Sequence, residues 1–366
     1  MHTAWATARN LLCVRLDSIG DVLMTGPALR ALRDSGARIT LLTSPQGALA
    51  AELMPEVDET IVYEAPWMKA TPERSSSAPD REVVETLATR GFDGAAIFTV
   101  YSQSPLPAAL LCQLADIPLR LAHCRENPYQ LLTHHVPERE PEELVRHEVQ
   151  RQLDLVACVG ARTADERLAL GVPDTERMRA DDLLAELGVN RARPWAVIHP
   201  GATAPSRRYP AESWGEVCRV LAGGMGVQLV LTGDPTETEL VAHVQRLAGL
   251  DGRSLAGRLD LAALAGLLEA APLLVAGNTG PVHVAAAVGT PVVDLYALTN
   301  PQHTPWGVPH RVLSQDVPCR WCYKSVCPEG HHRCLRGVSP GEVVDAALTL
   351  LELTQRPVPG PCRRGA

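Results

Sequence analysis

The 366-residue sequence has no apolar run approaching the ~20 residues that a membrane-spanning helix needs. Its N-terminus, MHTAWATARN, lacks the apolar stretch of a signal peptide, so a cytoplasmic protein is expected, with at most peripheral membrane association. Lysine is also scarce, and the 34 basic residues are outnumbered by 42 acidic ones. The formal net charge is −8, and lysine occurs only at Lys69 and Lys324. That balance argues against nucleic acid as a partner, although local arginine clusters could still hold small anions. A third absence concerns the first apolar run, Leu11 to Leu16. No Gly-x-Gly-x-x-Gly follows it. The chain reads Asp17-Ser18-Ile19-Gly20-Asp21 there, which disfavours a nicotinamide-dependent dehydrogenase. What remains is ample: 46% hydrophobic residues and a length that suits two domains.

Apolar runs and helical patterns alternate along the chain. Leu11–Leu16 reads as a strand, Asp21–Asp34 as a helix, Arg38–Thr43 as a strand, Gly47–Met54 as a helix and Glu59–Tyr63 as a strand. This rhythm predicts a parallel sheet covered by helices. Ala65–Glu82 is rich in Pro and Ser and reads as a mobile loop, and GFDGAAIFTV adds a buried strand. The charged stretch Asp165–Pro194 reads as a hinge containing a short helix. After it the rhythm restarts with WAVIHPG, VQLVLTGDP, PLLVAGNTG and PVVDLYA as strands between helices. The expectation is two Rossmann-like α/β domains facing across a cleft, over residues 1–175 and 176–340. A helix over 341–353 and a disordered tail over 354–366 would follow. Ligands in such sheets sit beyond the carboxyl ends of strands.

Four segments carry candidate chemistry. In RLDSIGDVLMTGPALRALR, Gly20 would shape the turn after the first strand and Asp21 would begin the helix. Asp21 is then either a capping carboxylate or a general base, with Arg15, Ser18 and Gly20 around it. IHPGATAPSRRYPAESW ends a strand at His199. Gly201, Thr203, Arg207 and Arg208 could cradle phosphate oxygens, or form a solvated basic loop. LTGDPTETEL places Gly233, Asp234, Glu237 and Glu239 where ribose hydroxyls would need acceptors, or at an ordinary acidic helix start. AGNTGPVHVAAAVGTP combines Asn278, Thr279 and Gly280 with Pro281 in a first helical turn, a natural anion site. His283 follows, either packed internally or near that anion.

Ten cysteines are present. Six are scattered, as reduced thiols usually are. Cys319, Cys322, Cys327 and Cys334 form a C-x2-C-x4-C-x6-C pattern enclosing His331 and His332. Four soft ligands leave open a structural zinc site, an iron–sulfur cluster, or simply a reduced Cys-rich loop.

Taken in register, RLDSIGDVLMTGPALRALR, IHPGA…RRYPAESW, GNTGPVHVAAAVGTPVVDLY and PCRWCYKSVCPEGHHRCLRGVSP resemble the lipopolysaccharide heptosyltransferases, glycosyltransferase family 9. The resemblance runs from about Leu11 to Leu353. It implies a GT-B fold, with acceptor bound by the N-terminal domain and nucleotide-sugar donor by the C-terminal one. It implies inverting, metal-independent transfer from a nucleoside diphosphate sugar, by default ADP-heptose, to a glycan or small-molecule acceptor. The family's catalytic carboxylate falls on Asp21. Its diphosphate-holding basic residue falls on Arg207, and its donor motif falls on Asn278, Thr279, Gly280 and His283. Two departures stand out: Asn278 replaces the usual Asp, and Arg207 a frequent Lys. The Asn keeps alive an alternative, a non-catalytic GT-B nucleotide-sugar-binding protein. An epimerase or phosphatase acting on nucleotide sugars is a weaker one.

Overall fold

A computed structural model describes residues 3–69, 71–250 and 252–355. Of the tail expected over 354–366, Thr354 and Gln355 belong to the last helix, and the remainder, including Cys362, lies outside the described residues. The chain divides into two compact units. Unit 1 comprises residues 1–171 and, returning from far along the chain, Pro301–Gly307. Unit 2 comprises residues 172–300 and 308–366.

Unit 1 runs α1 (Thr3–Thr7), β1 (Asn10–Arg15), α2 (Ile19–Asp34), β2 (Arg38–Thr43), α3 (Pro45–Ala51), β3 (Glu59–Val62), α4 (Ala78–Ala88), β4 (Gly94–Ile97), α5 (Leu106–Leu114), β5 (Leu119–Cys124), β6 (His134–Pro137) and α6 (Glu148–Ala157). Its six strands are all parallel, in the order β3-β2-β1-β4-β5-β6. The order reverses between β1 and β4, and that switch point is where open sheets leave a crevice for ligands. Leu12 and Val14 point to a core shared with Ile97, Ala109 and Leu111, whereas Leu11 and Cys13 are buried on the opposite face. Both faces are thus covered, which is why β1 reads as an unbroken apolar run.

Unit 2 runs α7 (Asp174–Glu186), β7 (Trp195–His199), α8 (Ala211–Arg219), β8 (Gln228–Leu231), α9 (Thr238–Ala248), α10 (Leu261–Ala270), β9 (Leu274–Gly277), α11 (Gly280–Val288), β10 (Val292–Leu295), β11 (His310–Leu313), α12 (Arg333–Arg336) and α13 (Pro340–Gln355). Its parallel five-stranded sheet has the order β11-β10-β9-β7-β8, with the switch point between β7 and β9. Ala196, Ile198, Val275, Val293 and Leu295 share one core with residues of α8, α9 and α13.

Three expectations change. The opening helix begins at Ile19, capped by Ser18 in an extended conformation, so Gly20 lies inside its first turn and does not shape the preceding turn. The short helix expected within Asp165–Pro194 is longer, running as α7 over Asp174–Glu186 with Ala180, Leu183 and Leu184 buried; Arg177 ties it to Glu269 of α10. Apolar residues at i, i+3 and i+4 give that charged helix a packing stripe. The loop expected to be mobile packs Trp67 and Met68 against the unit 1 core, and Arg74 pairs with Asp80.

Candidate active site

In unit 1 the site grows from the end of β1. Arg15 is the last strand residue and is fully buried, yet it carries three carboxylates. Its Nε lies 3.0 Å from Asp17, its Nη2 3.2 Å from Asp21 and its Nη1 2.9 Å from Glu148. Burial alone would lower its pKa, but Asp17, Glu148 and Asp21 outweigh that and hold the guanidinium above its ordinary value. Asp21 is the third residue of α2. Its Oδ2 accepts from the Ser18 hydroxyl at 2.7 Å and the Ser18 amide at 3.3 Å, forming a capping box. Ser18, not Asp21, is thus the N-cap, with Asp21 its third-position partner, and these bonds do not exhaust the Asp21 side chain, which keeps 17% exposure. A carboxylate has about four acceptor positions, so lone pairs remain for another proton.

Sequence reasoning missed the residues behind this group. Glu148 opens α6, and Gln152 donates to it at 2.6 Å. Burial pushes Glu148 up, but Arg15 and Arg151, with His303 behind them, hold it below the usual carboxylate range. His303 arrives on the Pro301–Gly307 segment, its Nε2 3.9 Å from Asp21 Oδ1. Asp17, pushed up to about 6 mainly by burial, accepts from Gln103 at 2.6 Å.

In unit 2 the residues singled out gather at the carboxyl ends of β7, β8 and β9. His199 ends β7, its Nδ1 3.0 Å from the Thr232 hydroxyl and its Nε2 3.5 Å from Glu237. Burial drives this imidazole down to about 4 against the pull of Asp234, and it drives Glu237 up. The contact is thus one of a neutral ring with a carboxyl group, not a strong ion pair. A Cβ at Gly201 would fall on the Glu237 carboxyl, so a larger residue there would displace that side chain; Gly233 also adjoins Glu237. Asp234 caps the turn Pro235–Glu237, accepting from the Thr236 amide at 2.7 Å, and Glu239 is exposed. For these two acids the ordinary helix-start reading suffices.

The loop after His199 is pinned. Ser206 bonds the carbonyls of Lys324 and Ser325, and the Tyr209 hydroxyl donates to Val338. Between these anchors, Arg207 donates to the Asn278 carbonyl at 3.3 Å. Arg208 is spent on the carbonyls of Ala202 and Thr203, so it fixes the loop. Thr203 is exposed. Thr279 is the N-cap of α11; its hydroxyl donates to Gly277 at 3.1 Å, and Gly280 is the first helical residue. His283, one turn into α11, is buried.

Two further side chains are conspicuous. Asn278 is 2% exposed, and among the described residues neither polar atom of its amide has a hydrogen-bond partner. Asp294 on β10 is fully buried, with both carboxyl oxygens likewise unpartnered there. Register places His199 beside Ala276 and Ala276 beside Asp294, one row on the sheet face opposite Val293 and Leu295. Burial raises Asp294 well above the usual carboxylate range, and Arg207 is the charge that opposes the shift.

The cysteines are neighbours without forming a ligand cage. Cys319 Sγ is 3.7 Å from His331 Nε2. Burial first, then Cys327, Cys319 and Cys322, raises Cys334. Among the described residues no three His, Cys, Asp or Glu converge to hold a metal ion, and the four thiols are not in disulfides. As the side chains stand, a zinc ion does not fit. Cys319 and Cys334 pack against Tyr296, Leu298 and Val317.

Comparison with known proteins gives both switch-point sites a common context. The family model for glycosyltransferase family 9 (heptosyltransferase) matches residues 84–333. Lipopolysaccharide heptosyltransferase 1 of Pseudomonas aeruginosa is 32% identical over 136 residues, covering 37% of this chain and 38% of that protein. Matches to the curated heptosyltransferases of Salmonella typhimurium and Escherichia coli likewise span half of their length or less. Solved structures match over more. A family 9 glycosyltransferase from Veillonella parvula superposes with a TM-score of 0.80 at 23% identity, over 94% of this chain and 98% of that one. The E. coli ADP-heptose lps heptosyltransferase II gives 0.71 at 25%, over 95% and 100%. The two Rossmann-like units are of the GT-B class, and with more than half its length matched by the family model, the chain belongs to glycosyltransferase family 9.

Proposed function

We propose that this protein is an inverting, metal-independent glycosyltransferase. It moves a sugar, by family default heptose from ADP-heptose, from a nucleoside diphosphate donor to an acceptor hydroxyl. The observation that carries this reading is Asp21. It is a partly open carboxylate at the switch point of unit 1, held from behind by a buried arginine and beside it by Ser18. In the reaction the acceptor oxygen forms a bond to the anomeric carbon while the bond from that carbon to the diphosphate oxygen breaks. The hydroxyl proton passes to Asp21, and attack opposite the leaving group inverts the centre. The sugar passes through an oxocarbenium-like state. Charge accumulating on the departing diphosphate would meet Arg207 and the amides at the start of α11. A guanidinium and a helix terminus are the charges that substitute for a metal in this scheme. A cytoplasmic location goes with the reading, since its donor is a cytoplasmic metabolite class. No helix among the described residues is long and apolar enough to cross a membrane.

Asn278 favours one second reading, a nucleotide-sugar-binding protein without turnover, because the family's carboxylate is a neutral amide here. Incubation with ADP-, GDP-, UDP- and TDP-sugars plus an acceptor panel separates the two. Acceptor-dependent release of nucleoside diphosphate is expected. Donor binding without release under every pairing would establish the second reading instead.

A further inference from the structure

Unit 1 contains a cavity of about 310 Å³ at the β1/β4 switch point. Its size falls in the range of small-molecule sites. Trp67, Met68, Phe98 and Pro107 supply much of its wall. Its polar groups are Asp17, Gln103 and the hydroxyls of Thr99, Ser102 and Ser104. Among the described residues no lysine or arginine lines it. Asp17 is the one charged residue of that lining and shares the Arg15 guanidinium with Asp21, so a molecule seated there lies beside the proposed base. Arg15 itself is closed off: it has no exposure and is already surrounded by three carboxylates.

We propose that this cavity is the acceptor subsite and that the acceptor is an uncharged, hydroxylated molecule bearing an apolar group, such as an aryl or alkyl glycoside. This rests on the transferase reading and narrows its substrate class. An anionic acceptor, whether a sugar acid or a phosphorylated saccharide, would find no cation in the cavity and a carboxylate in its way. A neutral sugar finds acceptors and donors for its hydroxyls at Asp17, Gln103 and Ser104. Trp67 packs edge-to-face with Tyr63 at 5.9 Å and lines the cavity, an aromatic surface suited to an aryl ring or the apolar side of a sugar.

Calorimetric titration of the full-length protein with matched probes tests this without turnover. The 4-nitrophenyl glucoside, galactoside and mannoside are compared with free hexoses and with 4-nitrophenyl glucuronide, in which a carboxylate replaces a hydroxymethyl group. At least one neutral aryl glycoside should bind about tenfold or more tighter than its free hexose and than the glucuronide. Trp67→Ala should abolish that preference. Ser102→Arg, at an exposed wall position, should raise glucuronide affinity while leaving the fold intact. Equal or tighter binding of the glucuronide to the unaltered protein, or no binding by any neutral glycoside, overturns the proposal. Failure of the transferase reading shows separately, as no diphosphate release from any donor with a bound acceptor.

Discussion

Arg15 Nη2 stands 3.2 Å from Asp21 Oδ1, and the guanidinium that makes this contact has no access to solvent. Its charge is balanced by Asp17, Asp21 and Glu148, so the strand end is an over-neutralised acidic cluster. Removing the cation leaves Glu148 buried without its closest counter-charge. Arg15→Ala should cost about 3–5 kcal/mol, the range for breaking a buried pair. Urea unfolding of the variant measures it, and a loss below about 1 kcal/mol would show that the cluster does not depend on Arg15.

Asp21→Asn keeps the shape of the side chain and its contact with Ser18 while removing the proton acceptor. Turnover should fall by about 10²–10⁴-fold. Donor affinity, read by titration with the nucleotide sugar, should stay within about twofold, since the residues proposed to hold the donor lie in unit 2. Undiminished turnover would eliminate Asp21 as the base.

The adjacent arginines should separate cleanly. Arg207 is anchored by one weak bond, to the Asn278 carbonyl, whereas Arg208 is committed to Ala202 and Thr203. Arg207→Ala should weaken donor binding by about 1.5–3 kcal/mol, the worth of a charge-assisted hydrogen bond. Arg208→Ala should act mainly on loop order and cost less. Calorimetry with the donor on both variants decides; a larger loss at Arg208 would reverse the assignment.

Asp294 should make stability fall as pH rises above the ordinary carboxylate range. With its native pKa above that of the unfolded chain, the native state binds the extra proton. Stability must then decline as pH rises from the ordinary carboxylate range through the native value. Asp294→Asn mimics the protonated form and should flatten this part of the profile, with its gain largest at the alkaline end. Urea midpoints at mildly acidic and mildly alkaline pH, compared between the two proteins, test this. An unchanged slope would mean that Arg207 compensates the buried carboxylate fully.

Much of the scaffold is legible from residue order. β2 occupies Arg38–Thr43 as its apolar run predicts, and Gly201 just after β7 and Gly277 at the end of β9 mark the switch point of unit 2. The stretch between Ser104 and Ala164 gives little warning of α5, β5, β6 and α6. Glu148 hides there, and its partner Arg15 is 133 positions away, a pairing that no local spacing encodes. Gly20 misled because the sequence shows a glycine but not the conformation of its neighbour: Ser18 takes the capping role and moves the helix start upstream. Asp294 left a usable trace. It sits between Val293 and Leu295, a carboxyl group on the second face of a strand whose first face is core. Trp67 was masked by composition, since prolines and serines around it suggest a solvated loop while one aromatic ring is enough to dock it.

The excursion of Pro301–Gly307 limits how unit 1 can be studied alone. Gln302 bonds Glu140 at 2.6 Å, the Thr304 carbonyl meets His147 at 2.9 Å, and Trp306 donates to Glu166 at 2.7 Å. A gene fragment cut after Gly171 would lack all three fastenings together with His303. A faithful minimal version would have to graft the heptapeptide back, for example as a tethered extension. Mixing the fragment with the synthetic peptide and following recovery of cooperative melting would reveal how much of that half's integrity is borrowed from distant sequence.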